Sequence, residues 1–260
     1  MIWYVNEYVI LLVAFLFFVG IIEISFRLGR RNRDHVDEDG KAHVGALQAA
    51  ALVLLALLLG FTFSMAVSRF DTRKELLLDE ADAIGTTLLR SRFLPEPQRH
   101  EVAALLKAYV SAQIDLYDAG IDRTRLEAAT SAASRLEDRL WQLAVTSADA
   151  DARSVPIGLF IQSLNEMIDD NEKRRVALDN HVPEAVIFLL FFVSAVALGF
   201  VAYGCGLTGQ RRFMMNVIFA LLIAMAITII LDIDRPRRGL VQIGQDSLVR
   251  LKGAMDSTGH

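Results

Sequence analysis

The sequence predicts an all-α, polytopic membrane protein with four transmembrane helices in a two-plus-two arrangement and a helical-bundle insert between helices two and three. Three observations predict it. Four apolar runs are each long enough to cross a bilayer, the stretch between the second and third has helical periodicity with almost no period-two alternation, and 53% of the residues are hydrophobic. The mean hydropathy of +0.38 exceeds what an ordinary soluble domain of 260 residues carries.

The first run spans about residues 9–25, preceded by Trp3, Tyr4 and Tyr8 and followed by Arg27, Arg30, Arg31 and Arg33. Interfacial aromatics and basic stops frame it as a retained membrane helix. A signal peptide would need a basic start and a small-residue cleavage site, and neither is there. The second run, 44–67, is interrupted by Gln48, Thr62 and Ser64 alone. Runs three and four, 186–203 and 213–231, are separated by a short turn around Gly204, Gly206 and Gly209. The domain reading is therefore 1–67 as the first pair, 68–181 as the insert, 182–231 as the second pair, and 232–260 as a tail outside the membrane.

In the insert, Leu77, Ala81, Ile84 and Leu88 continue the second run with no proline between, so that span extends as one long helix beyond the bilayer. Leu94-Pro95-Glu96-Pro97 breaks it, because proline lacks a backbone donor and disfavours helix in the residue before it. A helix over 97–117 follows, with Val102, Leu105, Leu106, Tyr109 and Val110 on one face, ended by Asp118-Ala119-Gly120. The next, 122–146, places Leu126, Ala129, Ala133, Leu136, Leu140 and Leu143 at alternating spacings of three and four, a bundle seam. A polar stretch, 147–154, leads to Pro156 and a helix carrying Ile157, Phe160, Ile161, Leu164 and Ile168 that feeds the third span.

The net charge of -4 offers no basic field for nucleic acid, and a single cysteine, Cys205, excludes an internal disulfide or multi-cysteine cluster within these residues. Short loops carry the orientation signal. Loops one and three hold Arg27, Arg30, Arg31, Arg33, Lys41, Arg211 and Arg212, against five basic residues in the tail and none in residues 1–8. This places both termini and the bundle outside the cytoplasm of a bacterial inner membrane.

No phosphate-binding loop, zinc-protease motif or nucleophile elbow is present, so the chain is not expected to be an enzyme, and no cofactor or metal is called for. Asp79-Glu80-Ala81-Asp82 spells a helicase signature only as letters. On an amphipathic helix these acids make a solvated face, or a cation-attracting ring if several subunits bring them to a pore mouth. Asp169, Asp170 and Glu172, just before Lys173, Arg174 and Arg175, read as surface charge pairs. His35, His43, His100, His181 and His260 read as solvated. Asp232 and Asp234, with Arg235, Arg237 and Arg238, anchor the exit of span four or line a charged vestibule.

Polar residues inside apolar runs are the default functional candidates: Glu23, Gln48, Thr62, Ser64, Ser194, Asn216 and Thr228. Glu23 can pair with Arg27 one turn on. Ala56, Gly60, Ser64 and Ser68 form a strict four-residue ladder on span two, which suits close packing within the subunit or, with Phe61 and Phe63 as a hydrophobic constriction, the lining of a narrow pore. Ala195, Gly199 and Tyr203 repeat the ladder on span three, and Ala220, Ala224 and Thr228 on span four.

Four segments carry a resemblance. They are Leu59-Gly60-Phe61-Thr62-Phe63-Ser64 running into Arg69-Phe70, Glu80-Ala81-Asp82-Ala83-Ile84-Gly85 ending at Leu89-Arg90, Leu94-Pro95-Glu96-Pro97, and Leu231-Asp232-Ile233-Asp234-Arg235-Pro236 followed by Gly239. Together, over most of the chain, they resemble a bacterial membrane family labelled bestrophin-like, which often has asparagine where this chain has Asp82. The resemblance implies similarity to bestrophins, pentameric anion channels with two spans, a helical extramembrane region and two further spans. It also implies a cytosolic helical region, opposite to the charge count. The reading is an oligomeric ion channel, anion-conducting by resemblance, with span two lining the pore through Gln48, Ala56, Gly60, Phe61, Phe63, Ser64 and Ser68, and Glu23, Asp79, Glu80, Asp82, Asp232 and Asp234 as vestibule candidates. The lipid bilayer, further copies of the chain and inorganic ions are its partners. The alternative is a non-conducting membrane scaffold or sensor whose bundle binds a partner.

Overall fold

A computed structural model describes residues 6–235 and 241–257. Trp3 and Tyr4, and Pro236, Arg237, Arg238, Gly239 and His260, lie outside them. The described residues are helical throughout, with no strand: α1 (Glu7–Arg31), α2 (Glu38–Ser91), α3 (Gln98–Asp118), α4 (Arg123–Ala150), α5 (Val155–Asp179), α6 (Glu184–Thr208), α7 (Phe213–Ile233) and α8 (Asp246–Ser257), with one turn of 3-10 helix at Arg33–His35. Four helical stretches are long and apolar enough to cross a membrane, in α1, α2, α6 and α7.

Local chemistry sets the ends. Asn6 accepts from the Tyr8 amide at 2.9 Å, Asp122 from those of Thr124 and Arg125 at 3.0 and 3.2 Å, and Ser154 caps α5 with Pro156 in its first turn. Helix α2 runs unbroken for 54 residues, as the uninterrupted apolar seam requires, and stops before Pro95. Three boundaries differ from expectation. Helix α4 continues to Ala150, because the side chain of Ser147 bonds back to the Leu143 carbonyl at 2.8 Å and is tolerated inside the helix. Helix α5 does not feed α6 without a break, since Pro183 removes a donor and the chain leaves helix over 180–183. Nor is the glycine segment all turn: α6 includes Gly204 and Gly206 and ends at Gly209, whose φ of 72° supplies the left-handed cap.

The chain divides into two compact units, 1–68 with 181–235, and 69–180 with 236–260. In the first, α1 packs on α6 and α7, and α6 on α7. The reason is backbone proximity. A Cβ on Gly29 would lie 2.2 Å from the Tyr203 carbonyl oxygen, and one on Gly206 would lie 2.4 Å from that of Phe26, so α1 and α6 cross where neither has a side chain. Phe18, Ile22, Ala197, Leu198 and Ala202 fill the seam beside this crossing.

In the second unit, Leu77 and Ile84 of α2, Val102, Leu106 and Val110 of α3, Leu140 and Leu143 of α4, and Phe160, Leu164 and Met167 of α5 form one core. The apolar seams of the sequence are the buried faces here. A helix not expected from the sequence, α8, adds Leu248 and Met255 and packs on α3, so the described tail residues 241–257 belong to this unit, while 232–235 belong to the first.

Replacing Gly206 by valine forces the α1 and α6 backbones apart. The expected loss is about 3 kcal/mol or more, read as disappearance of the monodisperse peak on gel filtration in detergent. Gly20→Val, at a glycine with nothing within 4 Å, elutes as wild type.

Candidate functional site

On α2 the ladder Ala56, Gly60, Ser64 and Ser68 is exposed over its whole length, and so are Phe61 and Phe63, at 64% and 45%. A Cβ on Gly60 would meet nothing within 4 Å. The buried side of the same stretch is Leu55, Thr62 and Ala66. The ladder is therefore not a packing seam within one chain, in contrast to its counterparts, where Ala220 and Ala224 are fully buried and a Cβ on Gly199 would lie 3.3 Å from the Ser25 hydroxyl. Gln48 does not join the ladder. It is half-buried on the inward side of α2, with its side-chain oxygen 3.4 Å from where a Gly204 Cβ would be.

The hydroxyls inside the apolar runs satisfy themselves. Thr62 donates to the Leu58 carbonyl at 2.6 Å, Ser194 to Leu190 at 2.7 Å and Thr228 to Ala224 at 2.8 Å, which removes their cost in lipid without a partner helix. Glu23 pairs with Arg27 at 2.8 Å, as its spacing implies, and with Arg211 at 3.2 Å. Arg211 also lies over the rings of Phe26 and Phe213.

The densest charge chemistry lies in the helical unit. Arg174 of α5 pairs through Nε with the fully buried Glu80 of α2 at 2.6 Å and donates to Gln113 of α3 at 2.5 Å. Gln113 donates to Asn171 at 3.0 Å, Asn171 to Glu137 of α4 at 2.7 Å, and the Tyr109 hydroxyl to Glu137 at 3.0 Å, with Glu80 at 3.4 Å. One polar layer thus joins four helices. Burial pushes the Glu80 carboxyl up to about 7 against the pull of Arg174 and Tyr109, with Glu137 and Asp170 adding to the rise. Burial also raises Glu137 and, with these two carboxylates, holds Tyr109 well above the ordinary phenol range.

A family model for the Bestrophin-like domain matches residues 12–248. The chain belongs to the Bestrophin-like family. Among solved structures, this Bestrophin-like chain is similar to a bacterial bestrophin homologue from Klebsiella pneumoniae, at 17% identity and a TM-score of 0.66 over 96% of this chain and 98% of that one. A tryptophan-to-alanine variant of that homologue gives a TM-score of 0.69 at 16% identity, over the same shares. A proline-to-alanine variant of a membrane protein gives 0.67 at 16%, over 96% of this chain and 99% of that. At these identities the likeness is one of fold. No curated protein matches the sequence.

The vestibule candidates of the Bestrophin-like chain separate into two groups. Asp79 and Asp82 are exposed. Glu80, Asp232 and Asp234 are buried, so Glu80 is not on the solvated helix face expected for it. Glu80 faces Arg174, and Asp234 accepts the Val182 amide at 2.8 Å with the His181 ring 3.7 Å away, so it fastens the start of the 181–183 segment to the end of α7. Arg174 is likewise no surface residue, although Lys173–Asp170 and Arg175–Glu172 pair as expected at 2.7 and 2.6 Å. His100 is exposed, as expected, with Nδ1 2.5 Å from Glu96. Among the described residues no three histidine, cysteine or acidic side chains gather as a metal site.

Of the network members, Tyr109 was expected only as part of an apolar face, and Gln113, Glu137 and Asn171 were not singled out by sequence reasoning. Their signal is register. Asn171 and Arg174 continue the spacing of Leu164 and Met167, Gln113 that of Leu106 and Tyr109, and Glu137 lies between Ala133 and Leu140.

A carboxyl that binds its proton more tightly folded than unfolded stabilises the fold at acid pH, and that contribution is lost as pH rises through the folded value. Glu80, moved from 4.5 to about 7, therefore withdraws about 3 kcal/mol between pH 5 and 8. Thermal unfolding of the wild type should decline over that range, and Glu80→Gln should flatten the slope by at least half.

Proposed function

We propose that this Bestrophin-like protein is an oligomeric membrane ion channel, anion-conducting, with α1 and α2 before and α6 and α7 after the helical insert as its membrane pairs, and with α2 lining the pore. The observation that carries the reading is the open face of α2. Ala56, Gly60, Ser64 and Ser68 run down a crossing helix on a side the chain leaves exposed, flanked by Phe61 and Phe63. In a symmetric assembly such a face supplies small hydroxyl-bearing positions for an ion path and bulky apolar side chains for a dewetting constriction. Asp79 and Asp82, exposed further along α2, are the acids left to shape the field at a mouth.

The basic connections between α1 and α2 and between α6 and α7 support a cytoplasmic position for those ends, with the helical unit outside. A cysteine placed at exposed Asp34 should then resist an impermeant thiol reagent in intact cells; labelling from outside would reverse the assignment.

The second reading, a scaffold or sensor, rests on apolar side chains left exposed on the helical unit, among them Phe93 at 67% and Val155 at 71%. Planar-bilayer recording from the purified oligomer under a salt gradient decides between the two. Current reversing near the chloride potential, reduced at least tenfold by Ser64→Glu, supports the anion pore. Reversal near the cation potential overturns the selectivity, and absence of current from folded oligomer overturns the channel.

A further inference from the structure

Within the first unit, the N-terminal turns of α2 and α7 and the C-terminal turn of α6 enclose an open cavity of about 460 Å³, in the size range of small-molecule sites. Its lining includes Lys41, Arg212 and the amide residues Gln48, Gln210 and Asn216, with the Arg212 guanidinium donating to the Gln210 side-chain oxygen at 3.2 and 2.9 Å, and no Asp or Glu lines it. Glu38, which pairs with Lys41 at 2.7 Å, is 90% exposed at its side chain and stands outside the wall.

Two further observations give the cavity a sign. The first turn of α7 has no side-chain cap, so its leading amides meet no side-chain acceptor at the end where the helix dipole is positive. Asn216, one turn in, is only 8% exposed, and its amide nitrogen reaches just the Cys205 sulfur, at 3.9 Å. A buried amide donor held by so weak an acceptor retains capacity for a stronger one, and the cavity is the space beside it. On the α6 side, Gly204 leaves room for the Gln48 amide, since a Cβ there would lie 3.4 Å from it. Arg33 lies against Gly209 at the same end, adding a third cation near the rim.

We propose that this cavity binds a phosphate group, and that the phosphate is that of an anionic membrane lipid. Two cations, three amides and an uncapped helix start suit a multivalent oxygen anion. The cavity also opens where the apolar stretches of α2, α6 and α7 end, the depth at which lipid headgroups lie. The site is separate from the exposed ladder of α2 and does not depend on conduction.

Delipidated full-length protein would be titrated with phosphatidylglycerol, phosphatidylcholine and inorganic phosphate, with binding read by native mass spectrometry and folding by circular dichroism. The expected result is preferential uptake of phosphatidylglycerol, weakened about tenfold by Lys41→Gln/Arg212→Gln and also weakened by Asn216→Leu, which keeps the side-chain volume. Arg30→Gln/Arg31→Gln, which removes two exposed charges away from the wall, should bind as wild type. Displacement of the lipid by millimolar inorganic phosphate alone would keep the phosphate chemistry and overturn the lipid as its source. Equal binding of both lipids, or equal loss in the Arg30/Arg31 variant, would overturn the site.

Discussion

A chain that crosses a bilayer has no water to satisfy its backbone, so every crossing segment must close its own hydrogen bonds, and much of this molecule follows from that constraint. It explains why polar side chains in the apolar runs turn back on their own helix, as Thr62, Ser194 and Thr228 do. It also explains why helix association relies on proximity. With lipid as apolar as leucine, α1 and α6 gain from touching only if their backbones come close, and Gly29 and Gly206 make that possible. The same logic applied to α2 finds its small-residue face exposed, with nothing within 4 Å of a Cβ on Gly60, and this exposure is what supports the proposed role of that face.

The helical unit obeys another rule. Beside its apolar core and other buried polar groups such as Arg73, Thr87 and Ser163, one layer joins Glu80, Arg174, Gln113, Asn171, Glu137 and Tyr109 across four helices. Removing one member would strand a buried charge, which costs far more than the pair contributes. A layer of this kind specifies alignment: a one-turn slip of α5 would set Arg174 against leucines of the same core.

Much of this was legible in the sequence. The crossing helices, the long α2 and the apolar faces of α3, α4 and α5 follow from periodicity, and Glu23 with Arg27 from spacing alone. The polar layer was legible in principle, since its members occupy seam positions, but a charge run such as Lys173-Arg174-Arg175 hides which residue points inward. What periodicity does not encode is which face meets which helix. Gly204 and Gly206 look like a turn until α1 is seen beside them, Gln48 and the ladder lie on one helix but different sides, and Asp234 reads as a surface acid until Val182 donates to it. Helix α8 is short and follows residues with little pattern, so only its burial against α3 reveals its place.

The length of α2 has an electrical consequence. The apolar run of α2 ends in the sequence at Val67, and Glu80 follows it by about 20 Å of the same unbroken helix, at roughly 1.5 Å of rise per residue. The diffuse double layer of an anionic leaflet decays over about 8 Å at physiological ionic strength. Where a bilayer surface coincides with the end of the apolar run, as in the proposed channel, its excess of protons has decayed at that distance along the helix, and the occupancy of this carboxyl then follows bulk acidity.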